Sequence, residues 1–423
     1  FRRALNPGTG SDLGRTLTCI ANGQQVLDGQ ADPSELGVTA LDSKTLKIDL
    51  AYSYEDFPKL MASSAAMPCN EKFFTESQGQ YGLEAGTTLG NGPYTFSTSY
   101  SWTHGESISL SRNSLYAGEQ KPVPAGISFT IGAEIMNSAN AIANGTVDAA
   151  PITGEQLEAA HAADMNLTSF EDTALGVCFN MQDSVFQNAN IRSAFLKTLN
   201  REQVLSSLPE NYSQAQSVIP PQTTLSGENY RTLAGECSLP AYEQGQGKAY
   251  LEAGLNELQL DSLPKVTILC LDSPGAKAIV NNLLENWNSA LGYYLNLNAV
   301  SENELQSALR NGNYQLALCP LRADNDGPWE LLNLFSSENP YNPAGYQNQD
   351  YNNLLSQIKA SPGEDGAALC LQAENHLIQN LVFYPLVYEK RYFASAQNVT
   401  GIIFHPYNGG IDFIGAEKTE AEA

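Results

Sequence analysis

Hydrophobic positions in the second half of the chain switch repeatedly between two periods, which predicts a succession of strands and helices. Val266–Leu271 is a short continuous apolar run, the mark of a buried strand. Ser273 and Pro274 then open a helix whose apolar residues at 276, 279, 280, 283, 284 and 287 keep helical spacing until Gly292 stops it. Tyr294–Val300 alternates as a strand. Ser301 with Glu304 has the spacing of a capping box for the next helix, which Gly312 closes before a strand over 314–319. Asp350 reads as the cap of a helix with Tyr351, Leu354, Leu355 and Ile358 on one face, and Ser361–Pro362 with Glu364 as the start of a long helix to Leu381. Tyr384–Glu389 and Ile402–His405 are strand-like.

The first half is less regular. Gly37–Leu50 alternates on both sides of Asp42–Ser43, a hairpin pattern, with amphipathic segments at 14–28 and 54–62. Asn91–Gly92–Pro93 punctuates a boundary, after which Tyr94–Thr98 and Ser107–Ser111 look like a strand pair. Ile127–Ile131, Met136–Asn144 and Val147–Ala150 read as strand, helix and strand. Ala174–Met181 is another strand, followed by a turn over Asp183–Asn188. Asn190 then reads as the cap of a helix carrying Ile191, Ala194, Phe195 and Leu199, and Asn200 with Gln203 as that of a shorter one. Alternating strands and helices predict an α/β chain with a largely parallel, doubly wound sheet covered on both faces.

A length of 423 residues fits roughly two or three domains. The net charge of −24, from 22 basic and 46 acidic residues, argues against nucleic acid and against an anionic lipid surface, both of which call for Lys and Arg. No stretch approaches the ~20 apolar residues that span a bilayer. The seven cysteines are dispersed without a Cys-x-x-Cys pair, and Cys178, Cys270 and Cys319 fall in apolar runs, which reads as small buried hydrophobes. No phosphate loop, dinucleotide fingerprint or Gly-x-Ser-x-Gly elbow occurs. Ser356 and Lys359 have acyl-serine spacing, but Ser356 points away from its helix's apolar stripe and the partner motifs are missing. His104, His161, His376 and His405 never fall at i, i+4 with a Glu, and Asp324–Gly327 is only a fragment of a calcium loop, so neither a metal nor another cofactor is indicated. A large chain with no assembled catalytic set points to binding, not to an enzyme.

The stretch from Leu316 to Phe335 concentrates the binding chemistry. An apolar strand, Leu316–Cys319, breaks into the acidic turn Asp324–Asn325–Asp326–Gly327, and a helix restarts at Pro328 with leucines at 331, 332 and 334. Such a unit sets a carboxylate at the open end of a sheet, where α/β proteins hold ligands. Asp324 reads either as a plain turn residue or as the partner of a ligand's positive end. Asp326 reads as a helix cap. Trp329, Tyr341 and Tyr346 line a cleft or belong to the core, and Arg310 and Arg322 are near enough in sequence to meet a carboxylate.

Several short motifs in order resemble one family. They are Phe1–Arg2–Arg3–Ala4–Leu5–Asn6–Pro7, Leu36–Gly37–Val38–Thr39–Ala40–Leu41–Asp42 with Thr45–Leu46, and Asn91–Gly92–Pro93–Tyr94. Phe179–Asn180, Asn190–Phe195, Asn200–Arg201–Glu202 and Ala323–Asp324 with Pro328 continue the series. Together they resemble the extracytoplasmic substrate-binding proteins of peptide-type ABC transporters, the oligopeptide-, dipeptide- and nickel-binding class. The resemblance implies a two-lobed periplasmic-binding-protein-like (type II) fold with an extra small α+β domain. Its parts would be an extra domain over 1–91, incomplete at its N-terminus, lobe one over 92–172 and 400–423, and lobe two over 173–399. It further implies a monomeric receptor that closes on a peptide and delivers it to ABC permease subunits. The site would be Asp324, on the peptide's amino group, with Arg322, Ala323, Asn325, Trp329, Tyr346 and Arg310. Localisation would be extracytoplasmic, as a surface lipoprotein or in a periplasm, with a segment preceding Phe1. Leu321 and Asn325 stand where the family often has Trp and Tyr, which keeps open a non-peptide solute on the same scaffold (nickel chelate, oligosaccharide or opine). A peptide or cell-wall hydrolase is the remaining alternative.

Overall fold

Local sequence sets the best-formed helix of the chain, Pro274–Leu291. Ser273 accepts a hydrogen bond from the Ala276 amide, Pro274 fills the first position, and Gly292 takes the left-handed conformation (φ 74°) that ends it. A computed structural model gives this arrangement for the whole chain and describes all residues except 55–56, 133–136, 207, 244, 293–294, 323–325, 362, 407–409 and 420–423. Two compact units form, one from Phe1–Ala66 with Glu171–Lys390, the other from Met67–Phe170 with Arg391–Ala423. These two contact units are a different division from the three parts, with boundaries at 91/92, 172/173 and 399/400, that the resemblance implies. Two of the passages between units, at 170/171 and 390/391, fall inside strands, where no Gly or Pro marks them.

The larger unit is built on a mixed sheet of β1 (Asn166–Phe179), β2 (Tyr212–Gln214), β3 (Thr267–Leu271), β4 (Asn296–Val300), β5 (Leu316–Arg322) and β6 (Phe383–Ser395). Their order is β4-β3-β5-β1-β6, with β2 added to β6. β3 runs parallel to β4 and β5, but β5 pairs antiparallel with β1, Leu316 opposite Phe179 through Arg322 opposite Thr173, and β6 pairs antiparallel with β2. The expectation of a largely parallel sheet therefore holds only for 267–322. Parallel neighbours need a crossover helix. There α2 (Pro274–Leu291) and α3 (Glu302–Asn311) are the crossover helices that join parallel strands, while α1 (Ala189–Lys197) follows β1, whose described sheet partner β5 is antiparallel.

Both sheet faces are covered. On β5, Leu316 and Leu318 enter one hydrophobic cluster, with α1 and α2 residues, while Ala317, Cys319 and Leu321 enter another. That second cluster includes residues of α4 (Trp329–Asn333), α5 (Gln349–Ala360) and α6 (Glu364–Gln379). Cys19, Cys178, Cys270, Cys319 and Cys370 are buried free thiols. Three helix starts differ from expectation. Asn188, not Asn190, caps α1, accepting from the amides of Asn190 and Ile191. Asn348, not Asp350, caps α5, and Gly363 precedes α6. In each Asn case the chain is still extended two residues before the expected cap, so the earlier side chain reaches the first free amides.

Residues 1–66 contribute the antiparallel hairpin Val38–Ala40 with Leu46–Ile48, as its alternation predicts, and a cluster of their own around Leu5, Leu17, Ile20 and Val26. The other unit holds an antiparallel sheet of Tyr94–Thr95, Trp102–Thr103, Ser107–Arg112 and Gly126–Thr130. It also holds a small core in which Ala139, Ile142, Ile152 and Leu157 meet Tyr392 and Ala394 of β6.

Candidate functional site

The site named from sequence starts where β5 ends. Leu321 points into the core, so it is no cleft wall, and Arg322 is exposed opposite Thr173. Ala323, Asp324 and Asn325 lie outside the described residues. The chain is fixed again at Asp326. Its Oδ2 accepts from Lys59 Nζ at 2.8 Å and Thr224 Oγ1 at 2.5 Å, and its carbonyl accepts from the Thr224 amide at 2.7 Å. Lys59 also donates to Thr224 Oγ1 at 3.1 Å. Asp326 is thus not the cap expected of it: Pro328 already has helical angles and occupies the cap of α4 without a side-chain bond. The carboxylate is engaged by a charge instead. Sequence reading missed Lys59 and Thr224 because they lie 267 and 102 residues from Asp326, with no local pattern to announce the pairing.

Trp329 is half-buried and stacked against a cation. Lys359 Nζ lies 4.9 Å from its ring centroid and 5.1 Å from that of Tyr52, and burial there pushes the lysine pKa down. These residues, with Tyr54, Leu225 and Pro328, border an apolar cavity of about 60 Å³. Ser356 bonds its own helix, donating to the Asn352 carbonyl from the exposed face, so the Ser-x-x-Lys pair does not assemble.

Two further candidates do not join the group at 322–329. Tyr346 is 5 % exposed, its hydroxyl 2.8 Å from His376 Nε2 and its ring 5.9 Å from that of Tyr351. It is a core residue, its pKa pushed up to about 12 by burial. Arg310 stands in the last turn of α3, beside the start of β5, whereas Arg322 ends that seven-residue strand, about 20 Å away at the usual rise. Its guanidinium stacks on Tyr341, 4.2 Å from the centroid, and Arg15 stacks at 4.2 Å on the same ring.

Other motif residues brace the sheet. Arg192 donates to the carbonyls of Phe186, Gln187 and Asn380, and burial pushes its pKa down to about 10. Arg201 donates to the carbonyls of Ala215, Pro385 and Leu386. The Asn180 amide binds the carbonyls of Gly312 and Tyr314. Among the described residues, no cluster of three or more His, Cys, Asp or Glu is placed to hold a metal, and no helix is long and apolar enough to cross a membrane.

Helices on both faces of a mixed sheet and two units linked through shared strands are the build of a two-lobed solute-binding protein of the type II class. Residues 1–343 match the model of the bacterial extracellular solute-binding proteins, family 5, middle region, and the chain belongs to that family. Its members are receptors for solutes. The dipeptide-binding protein DppE of Bacillus subtilis is 26 % identical over 427 residues, covering 99 % of this chain and 76 % of that protein. The substrate-binding domain of an oligopeptide ABC transporter from Bacillus anthracis superposes with a TM-score of 0.80 at 21 % identity, over 99 % of this chain and 82 % of that one. OppA of Listeria monocytogenes bound to peptide gives 0.78 at 21 % identity with the same coverage. The family and fold class inferred from short motifs are therefore the ones found.

Proposed function

We propose that this chain is the receptor of a peptide ABC importer, which captures oligo- or dipeptides outside the cytoplasm by hinge closure and hands them to a membrane permease. The observation that carries this reading is membership of solute-binding family 5, with a dipeptide-binding protein among relatives aligned over almost the whole chain. We assign Asp324 the role of counter-ion to the peptide's ammonium group. A carboxylate shut away from water is costly unless a cation meets it, so it selects for a free amino end. Lys59 and Thr224 support this role by holding Asp326, two residues further on. An extended peptide would bond the remaining subsites through its backbone, which tolerates varied side chains. The receptor acts alone, without turnover, tethered as a lipoprotein or free in a periplasm. We keep three parts, an extra domain and two lobes, as the working division.

Calorimetry with a dipeptide and its N-acetylated form tests the assignment. Asp324→Ala is expected to lower affinity for the free peptide at least ~100-fold, the scale of an unpaired buried charge, and to leave affinity for the acetylated form the same or higher, since no carboxylate is then buried unpaired. Affinity for the free peptide within about twofold of the parent would remove the residue's role. The buried Leu321 supplies no aromatic wall, which favours a second reading, a non-peptide solute on the same scaffold. Mass spectrometry of the ligand released from the native protein decides between the two.

A further inference from the structure

A second pocket lies in the larger unit, beside the start of β5 and so at the opposite end of that strand from Arg322. Its volume is about 480 Å³, within the range of small-molecule sites, and its wall is polar. Asn180, Asp183, Ser184, Arg310, Asn311 and Asn342 contribute to the lining. Two asparagines make the wall rigid by saturating their amides on backbone. Asn180 binds two carbonyls and accepts from the Gln182 amide, and Asn342 binds the carbonyls of Phe335, Ser336 and Tyr346 while accepting from the amides of Ala344 and Tyr346.

Against that rigid wall stand two opposite charges that are not paired with each other. Among the described residues Asp183 engages protein donors through Oδ1, accepting from the amides of Val185 at 2.9 Å and Phe186 at 3.1 Å, which fixes its carboxylate on the turn. Arg310 is fixed by its stack on the Tyr341 ring, and among the described residues no carboxylate lies within ion-pair distance of it. Oppositely charged side chains sharing one pocket would ordinarily close on each other. Here each is held by a different neighbour, and Asp183 Oδ2 and the guanidinium remain to be met from outside. Ser184 and Asn311 add uncharged polar residues to the lining.

We propose that this pocket is a second solute site, separate from the peptide site, which takes a zwitterionic amino acid with its ammonium on Asp183 and its carboxylate on Arg310. Neither the family match nor the peptide reading bears on it, so the two stand or fall separately. L-alanine is the probe, with N-acetyl-alanine and alanine amide each lacking one charge, followed by calorimetry or ligand-observed NMR. Saturable binding of alanine is expected, with each analogue weaker by ~tenfold or more, the loss expected when one charged hydrogen bond goes. Asp183→Asn keeps the Oδ1 acceptor for the turn and is expected to weaken alanine ~tenfold while leaving dipeptide affinity as in the parent. Arg310→Gln, on an exposed helix end, supplies an independent variant with the same expectation for alanine. The proposal falls if alanine does not saturate the parent protein, if alanine amide binds as well as alanine, if both variants keep parental affinity, or if a saturating dipeptide displaces alanine.

Discussion

Glu374 has no exposed surface, yet it carries a charge partner and two further donors. Arg231 Nη2 lies 2.8 Å from both carboxylate oxygens, and the Tyr230 hydroxyl and the Ile219 amide each donate at 2.9 Å. Burial pushes its pKa up, and the guanidinium opposes that shift. Removing one partner of such a pair leaves an uncompensated buried charge. Arg231→Met is expected to cost about 3–5 kcal/mol in urea unfolding, with much of that recovered by adding Glu374→Leu. A loss below ~1 kcal/mol would mean that water reaches the carboxylate. His376 offers a pH test. Burial pushes its pKa down, against a smaller opposing effect of Asp350, so the unfolded chain takes the proton more readily than the folded one. Its stabilising contribution is present above the ordinary value of ~6.5 and is lost as pH falls below it. His376→Gln, which can still meet the Tyr346 hydroxyl, should flatten the fall in unfolding midpoint between neutral and mildly acid pH. At this scale sequence reading succeeds where the partner is local, as at Ser301 with Glu304, whose capping box is present. It fails where the partner is distant, as for Asp326 with Lys59, and it leaves Tyr346 open between cleft and core, because that burial depends on the packing of α5 and α6.

β1 and β6 are neighbours in the sheet, and a glycine allows their close approach. A Cβ on Gly176 would sit 2.4 Å from Phe383 Cζ and 2.5 Å from the Tyr384 carbonyl, the latter backbone that cannot swing aside. Gly176→Ala is therefore expected to destabilise by over ~2 kcal/mol through strand displacement, read as a lower denaturation midpoint. A midpoint within error of the parent would show that the strands are not locked together. The helices and strands of 266–322 were legible because each is bounded by its own punctuation, Ser273–Pro274, Gly292, Ser301 and Gly312. The pairing of β5 with β1 was not, because strand direction follows from which segment arrives beside which. Apolar runs such as 316–319 look the same in either sense.

For the whole molecule, the number of parts was suggested by length, but the seams were not, since the chain crosses between units within β1 and β6. The late strand β6 serves every core on its path. Phe383 joins one cluster of the larger unit, Tyr384, Leu386 and Val387 another, and Tyr392 and Ala394 the core of the smaller unit. Truncation after Asn380 is thus expected to abolish cooperative unfolding of both units, measured by near-ultraviolet circular dichroism; a surviving sharp transition would refute it. During synthesis the same arrangement has a temporal effect. A nascent chain lacking its last tenth can complete the cluster of residues 1–66, but both cores of the mixed sheet and the core of the smaller unit still lack their β6 residues, so most of the chain gains little from early compaction and stays pliable until nearly complete. For the extracytoplasmic receptor proposed above, that delay would suit passage through a narrow export channel as an open thread, with folding deferred to the far side.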